Sequence, residues 1–304
     1  MSTQLKINPR FIELSTQDGL VLPGLLYAAP RSKRVAIYLH GNGSSSVFYK
    51  QSKLGPMAEA LNKQGISLLC FNNRGAELMK RLVVQRKRQT EKKLFGMAYE
   101  KIKDCVHDID GAITFLKGEG YNQFFLVGES TGANKICVYQ AYKRNKSEIS
   151  KNILLAGGDD TGLNYASYGK KAFWKLLAKA ENKIRQGAGE EIAPETLKTG
   201  PFSYQSFFDI ANPDGDYNVF PYYEVINEVK LSKKRLFRHF TSIKQPSFVV
   251  YGASDEYAWG DVPRVITILK SHQPTFDYAV IPDTGHSFRG KEKELAKVIA
   301  NWLK

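Results

Sequence analysis

The stretch that most constrains this 304-residue chain is Phe124-Phe-Leu-Val-Gly-Glu-Ser-Thr-Gly132. Four apolar residues run into Gly128-Glu129-Ser130-Thr131-Gly132, and a helically spaced series follows in Ala133, Ile136, Cys137, Gln140 and Ala141. The pattern predicts a strand, a sharp turn and a helix, with a serine at the turn. That is the context of a nucleophile elbow. Such a turn strains the serine backbone and lifts its hydroxyl above the sheet edge. Neighbouring chain passes too close for a bulky Cβ two residues before or after, hence Gly128 and Gly132. A helix starting at Thr131 aims its free N–H groups at negative charge forming beside Ser130.

The flanking sequence reads as alternating strands and helices. Residues 5–14 and 20–28 alternate apolar and polar around Gln17-Asp18-Gly19, which predicts a β-hairpin. Strands are expected at Val35–Leu39, Ile66–Phe71, Asn152–Ala156, Ser247–Tyr251 and Phe276–Ile281. Helices are expected over Pro56–Gln64, about Glu100–Lys117, Val262–Lys270 and Lys291–Leu303. Strand–helix alternation implies a doubly wound, mostly parallel α/β sheet, here with an antiparallel N-terminal hairpin.

From Gly157 to Phe240 the alternation stops. This part holds one helical pattern (Ala172–Arg185), a Gly/Glu/Pro-rich passage and an aromatic-rich stretch from Phe202 to Tyr223. It reads as a cap or lid inserted over the carboxyl edge of the sheet. The expected division is therefore core at 1–156 and 241–304, with the inserted cap at 157–240. At 304 residues and 42% hydrophobic, one large domain with an insertion and two domains both fit.

A serine nucleophile needs a base, an acid and an oxyanion site. His286, in Asp283-Thr-Gly-His286, follows the last strand, where ligands and catalysis collect in open α/β sheets. Asp255 is the first acid after the preceding strand and is placed to fix the imidazole tautomer; Glu256 and Asp283 compete for that role. Oxyanion donors are expected from the backbone N–H groups of Thr131 and of Asn42, in His40-Gly41-Asn42-Gly43. His40 reads as a structural residue under that loop. Among the cap aromatics, Tyr217 and Tyr222 are candidates for a substrate pocket.

These four motifs, in order, resemble the α/β-hydrolase superfamily. Gly96-Met-Ala-Tyr-Glu100, Asp104-Cys-Val-His-Asp-Ile-Asp110, Ser206–Tyr217 and Asp255-Glu-Tyr257 are further similar to a group of intracellular hydrolases that includes fungal siderophore esterases. The resemblance implies the α/β-hydrolase fold and cleavage of ester bonds, in some members those of cyclic hydroxamate siderophores. Glu129 departs from the histidine common before the nucleophile. The expected activity is ester hydrolysis through Ser130, His286 and Asp255 on a small-molecule ester, with no metal and no organic cofactor. Thioester, amide or peptide cleavage on the same residues is the alternative. A binding protein on a hydrolase scaffold is the alternative of another class.

Composition narrows the rest. The N-terminus lacks the apolar run of a signal peptide, and apolar runs are strand-length, so a cytoplasmic protein without stable membrane insertion is expected. Cys70, Cys105 and Cys137 have no paired spacing and read as buried thiols. The formal net charge is +14, and Lys80, Arg81, Arg86, Lys87, Arg88, Lys92 and Lys93 crowd one segment. No aromatic residue is interleaved there for base stacking, so the segment reads as a solvated basic face and nucleic acid is not expected as a partner.

Overall fold

The computed structural model describes residues 7–43, 46–86, 89–198 and 200–304. β1 (Arg10–Ser15) and β2 (Val21–Tyr27) form the N-terminal antiparallel hairpin. Residues 5 and 6, expected at its start, lie outside the described residues. β3 (Arg34–Leu39), α1 (Gln51–Lys63) and β4 (Ile66–Phe71) follow. The helix begins five residues before the expected Pro56. The Lys50 carbonyl accepts from the N–H groups of Lys53 and Leu54 at 3.0 and 2.9 Å, which starts the helix early. Pro56 then sits inside it at the expense of one helical hydrogen bond.

The basic segment forms a hairpin of its own, β5 (Lys80–Arg86) with β6 (Gln89–Phe95), apart from the main sheet. Lys87 and Arg88 lie outside the described residues. Then come α2 (Cys105–Gly118), β7 (Gln123–Glu129), α3 (Thr131–Lys143) and β8 (Ile149–Leu155). The expected helix start near Glu100 is replaced by a short 3-10 turn over Ile102–Asp104. The chain between β8 and β9 carries α4 (Asp160–Tyr168), α5 (Lys170–Arg185), α6 (Tyr204–Ala211) and α7 (Tyr222–Ile226). β9 (Ser247–Gly252), α8 (Val262–His272), β10 (Asp277–Ile281) and α9 (Glu292–Leu303) complete the fold.

The main sheet has the order β1-β2-β4-β3-β7-β8-β9-β10, antiparallel at the first two pairings and parallel from β4 to β10. Its central strands are buried on both faces. Every residue of β4 and β9 is buried, as continuous apolar runs in a parallel sheet require. α1 lies against β4 and α9, while α3 lies against β7 and β8 and packs on α2. No helix among the described residues is long and apolar enough to cross a membrane.

Buried polar ties fix the connections near β7. Arg74, just past β4, pairs with Asp108 at 2.8 Å and with Asp18 at 2.9 Å. Lys135, on α3, is 1% exposed; it pairs with Glu100 at 2.5 Å and donates to Asn73 Oδ1 at 3.2 Å. A buried cation is tolerated only with partners of this kind. The three thiols are buried, and burial raises their pKa values.

Candidate active site

β7 ends at Glu129 and α3 begins at Thr131, so Ser130 is the whole of the turn. Its backbone is left-handed, φ 55° and ψ −125°, a conformation costly for any residue with a Cβ. Two hydrogen bonds impose it. The Ser130 N–H donates to the Leu155 carbonyl at 2.8 Å, and the Ser130 carbonyl accepts from Ala133 N–H at 2.8 Å. The glycines are required by contact. A Cβ on Gly128 would stand 2.2 Å from the Gly132 carbonyl oxygen, and one on Gly132 would stand 2.1 Å from that of Leu39.

His286 lies in the loop after β10, and Asp255 in the loop after β9. The imidazole Nδ1–H donates to both carboxylate oxygens of Asp255, at 3.0 and 3.1 Å. Asp255 is 2% exposed and also accepts from Tyr257 N–H at 2.9 Å. Burial alone would lower the His286 pKa. The hydrogen bond and charge of Asp255, with Glu129 and Glu256 behind it, outweigh burial and hold it above the ordinary histidine value. The competing acids have other partners. Glu256 accepts from the His286 backbone N–H at 2.9 Å, and Asp283 pairs with Lys291 at 3.6 Å.

The loop after β3 brings Gly41 and Asn42 beside the serine. A Cβ on Gly41 would stand 2.9 Å from that of Ser130. Ser44 and Ser45 of this loop lie outside the described residues. His40 is buried beneath the loop. Its Nε2 accepts from Asn73 N–H at 3.2 Å, which leaves Nδ1–H to donate to the Gly41 carbonyl at 2.9 Å. Burial, then the charge of Lys135, pushes its pKa well down and keeps the ring neutral. Glu129 is buried and ionised. Burial would raise its pKa, but Lys53 at 2.7 Å, Lys50 and the Tyr38 hydroxyl at 2.6 Å hold it below the ordinary carboxylate value.

Ser130, Thr131, Asn42 and His286 all line one cavity of about 420 Å³. Asp255 stands behind His286 rather than in the wall. Gly158, Asp160, Leu163, Asn164 and Ser167 continue the wall from the end of β8 through α4, and Met97, Phe202 and Ile210 add apolar surface. Tyr217 and Tyr222 are not part of it. Tyr222 is fully buried, with its hydroxyl 2.7 Å from that of Tyr251, which donates to the Gly157 carbonyl at 2.6 Å. Tyr217 is 3% exposed, its hydroxyl 3.5 Å from Thr131 Oγ1.

Two wall residues to which the sequence assigns no site role stand close to His286 in space or charge. Tyr257 lays its ring edge-on to His286, centroids 4.6 Å apart. Asp160, at the start of α4, has an Oδ2 shut off from solvent without a hydrogen-bond partner. Burial pushes its pKa up to about 6 against the opposing charge of His286. Its position just past a parallel strand was the available signal, since ligand groups collect at the carboxyl ends of such strands.

No curated protein matches the chain. Among solved structures it is similar to the Pyrococcus furiosus esterase Pf2001 (20% identity, 98% of this chain and 93% of that one, TM-score 0.57). It is also similar to Est1E from Butyrivibrio proteoclasticus with ferulic acid bound (14% identity, 96% and 97%, TM-score 0.60). A third is the carboxylesterase CesB from Bacillus subtilis (15% identity, 98% and 92%, TM-score 0.56). These likenesses share the α/β-hydrolase fold. The family model described as serine aminopeptidase, S33, matches residues 30–287, which span the elbow, the Asp255 loop and His286, and the chain belongs to that family of α/β-hydrolases.

Proposed function

We propose that this protein is a serine hydrolase that cleaves carboxylic esters. The observation that carries the reading is the paired approach of Asp255 to His286 Nδ1, with His286 and Ser130 on the wall of one cavity. With Nδ1–H committed to Asp255, the other ring nitrogen, Nε2, is the base. It takes the Ser130 proton as Oγ bonds to the ester carbonyl carbon. The carbonyl oxygen becomes an oxyanion facing the Thr131 and Asn42 N–H groups. Collapse breaks the bond to the alkoxy oxygen, which leaves as the alcohol with the proton from His286. Water, deprotonated by the same ring, then attacks the acyl-serine. The carboxylic acid departs and the proton returns to Ser130. The helices between β8 and β9 act as the lid that shapes the acyl site, and bulky soluble esters, siderophore-like ones included, are the proposed substrates.

A second reading on the same residues is amide or aminoacyl cleavage. The unpartnered Asp160 Oδ2 in the cavity wall favours it, since an amino group would supply the missing donor. One experiment tests both. Fluorophosphonate labelling and turnover are measured on ester, thioester, anilide and aminoacyl panels with the natural protein and Ser130→Ala. Loss of label and of ester turnover in the variant is expected. Labelling that survives at another serine discards the mechanism, and turnover of anilides above esters selects the second reading.

A further inference from the structure

One face of α5 has no role in the reaction above. The helix buries Phe173, Leu176, Leu177 and Ala180. On its opposite side Lys171, Trp174, Lys175 and Ala178 follow the i, i+3, i+4, i+7 spacing that makes one patch. All four are exposed, Trp174 by 37%. Lys179, Lys183 and Arg185 further along are paired with Glu195, Glu191 and Glu181, whereas Lys171 and Lys175 form no ion pair among the described residues.

Beside this patch lies a groove of about 630 Å³, lined by Tyr168, Ala172, Leu176 and Ala178 and by polar residues that include Lys175, Lys179 and its partner Glu195. Its position matters. Ser167 lines the candidate catalytic cavity and the next residue, Tyr168, lines the groove. An indole flanked by unpaired lysines, next to a trough that shares Lys175 and Ala178 with this patch, has the chemistry of the lipid–water interface. The ring settles at headgroup depth, the ammonium groups meet anionic headgroups, and the trough takes acyl methylenes. A nucleic acid fits less well, because a single indole beside an apolar groove gives no succession of stacking platforms.

We propose that this face of α5 adsorbs reversibly on anionic phospholipid surfaces and holds the candidate cavity beside lipid-borne esters. Only the delivery of esters rests on the hydrolase reading; adsorption does not. The full chain is sedimented with phosphatidylcholine vesicles with and without phosphatidylglycerol, and tryptophan emission is followed. Trp174→Phe separates the signal of Trp174 from those of Trp259 and Trp302. Binding at least tenfold tighter to the anionic vesicles is expected, with a blue shift absent in Trp174→Phe. At about fivefold per lysine, Lys171→Gln with Lys175→Gln lowers the partition coefficient by more than tenfold at unchanged melting temperature. Equal binding to both vesicles overturns the proposal, as does anionic binding that the double variant keeps. Binding to single-stranded DNA as tight as to anionic vesicles, without a blue shift, also overturns it in favour of general polyanion attraction. Hydrolysis of a water-soluble ester is measured alongside, and its absence in the natural protein counts against the hydrolase reading alone.

Discussion

Glu256 holds His286 by its backbone while its neighbour Asp255 holds the same residue by its ring. The Glu256 carboxylate accepts the His286 N–H at 2.9 Å, and Asp255 accepts Nδ1–H at 3.0 Å. Two adjacent acids on one loop therefore do separable work. One places the loop, and the other orients the imidazole.

Asp255→Asn is expected to reduce kcat by about ten-thousand-fold, because an amide presents a donor to Nδ1 and favours the wrong tautomer. Glu256→Gln keeps an acceptor for the backbone N–H and is expected to cost less than about tenfold. Steady-state kinetics on one soluble ester decide it. The reverse order of effects would assign the orienting acid to Glu256.

The raised pKa of His286 sets a pH dependence. In the proposed mechanism turnover needs the neutral ring, so kcat/KM is expected to rise with pH along an acid limb above the ordinary histidine value. Stability runs the other way. A pKa raised on folding stabilises fully below the unfolded-state value, and that contribution fades as pH rises through the folded one. In Asp255→Asn the limb moves to lower pH, since the attracting carboxylate is gone. A limb that stays put in the variant, in a pH–rate profile, would show that another group limits the rate.

Phe202 and Tyr222 separate pocket from packing. Phe202 lines the cavity, whereas Tyr222 is fully buried against Tyr251, Phe220 and Phe237. Phe202→Ala is expected to lower kcat/KM for bulky esters and largely spare acetyl esters. Tyr222→Ala, and Tyr217→Ala with it, is expected to lose about 3–5 kcal/mol of stability and affect both ester sizes alike. A Tyr222→Ala protein with unchanged melting temperature and a selective loss on bulky esters would return that residue to the pocket.

The sequence was most legible where local chemistry leaves one solution. Gly128 and Gly132 are demanded by carbonyl oxygens near 2 Å from a built Cβ, so the elbow is written in five residues. It was less legible where tertiary contacts override a local rule. Pro56 signals a helix start, yet the Lys50 carbonyl begins α1 earlier and Lys53 reaches Glu129 from the added turn. α4 is not legible in the sequence because Gly157 and Gly158 stand just before it and Gly162 within its first turn, a composition that reads as loop, although Asp159 caps it by accepting the Gly162 N–H at 2.8 Å. Asp160 was lost with it. The motifs at 96–110 and 206–217 carried a family resemblance without a physical reason. The fold supplies one. Ser206 donates to the Met97 carbonyl at 2.9 Å, Asp209 accepts from Ile102 N–H at 2.7 Å, and Asp110 accepts from Tyr139 at 3.0 Å.

The buried ammonium of Lys135 sits little more than one turn beyond Ser130 on the same helix. Its anchors, Asn73 and Glu100, belong to loops distant in sequence. A rod gripped near its tip from two directions neither rolls nor slides. The bearing of the Ser130 hydroxyl is thus set from outside the elbow, by the seating of the turn that ends at Glu100. Grafting residues 124–132 onto a foreign sheet would carry over the sharp bend but not its aim, and the smallest transplantable unit includes the clamp.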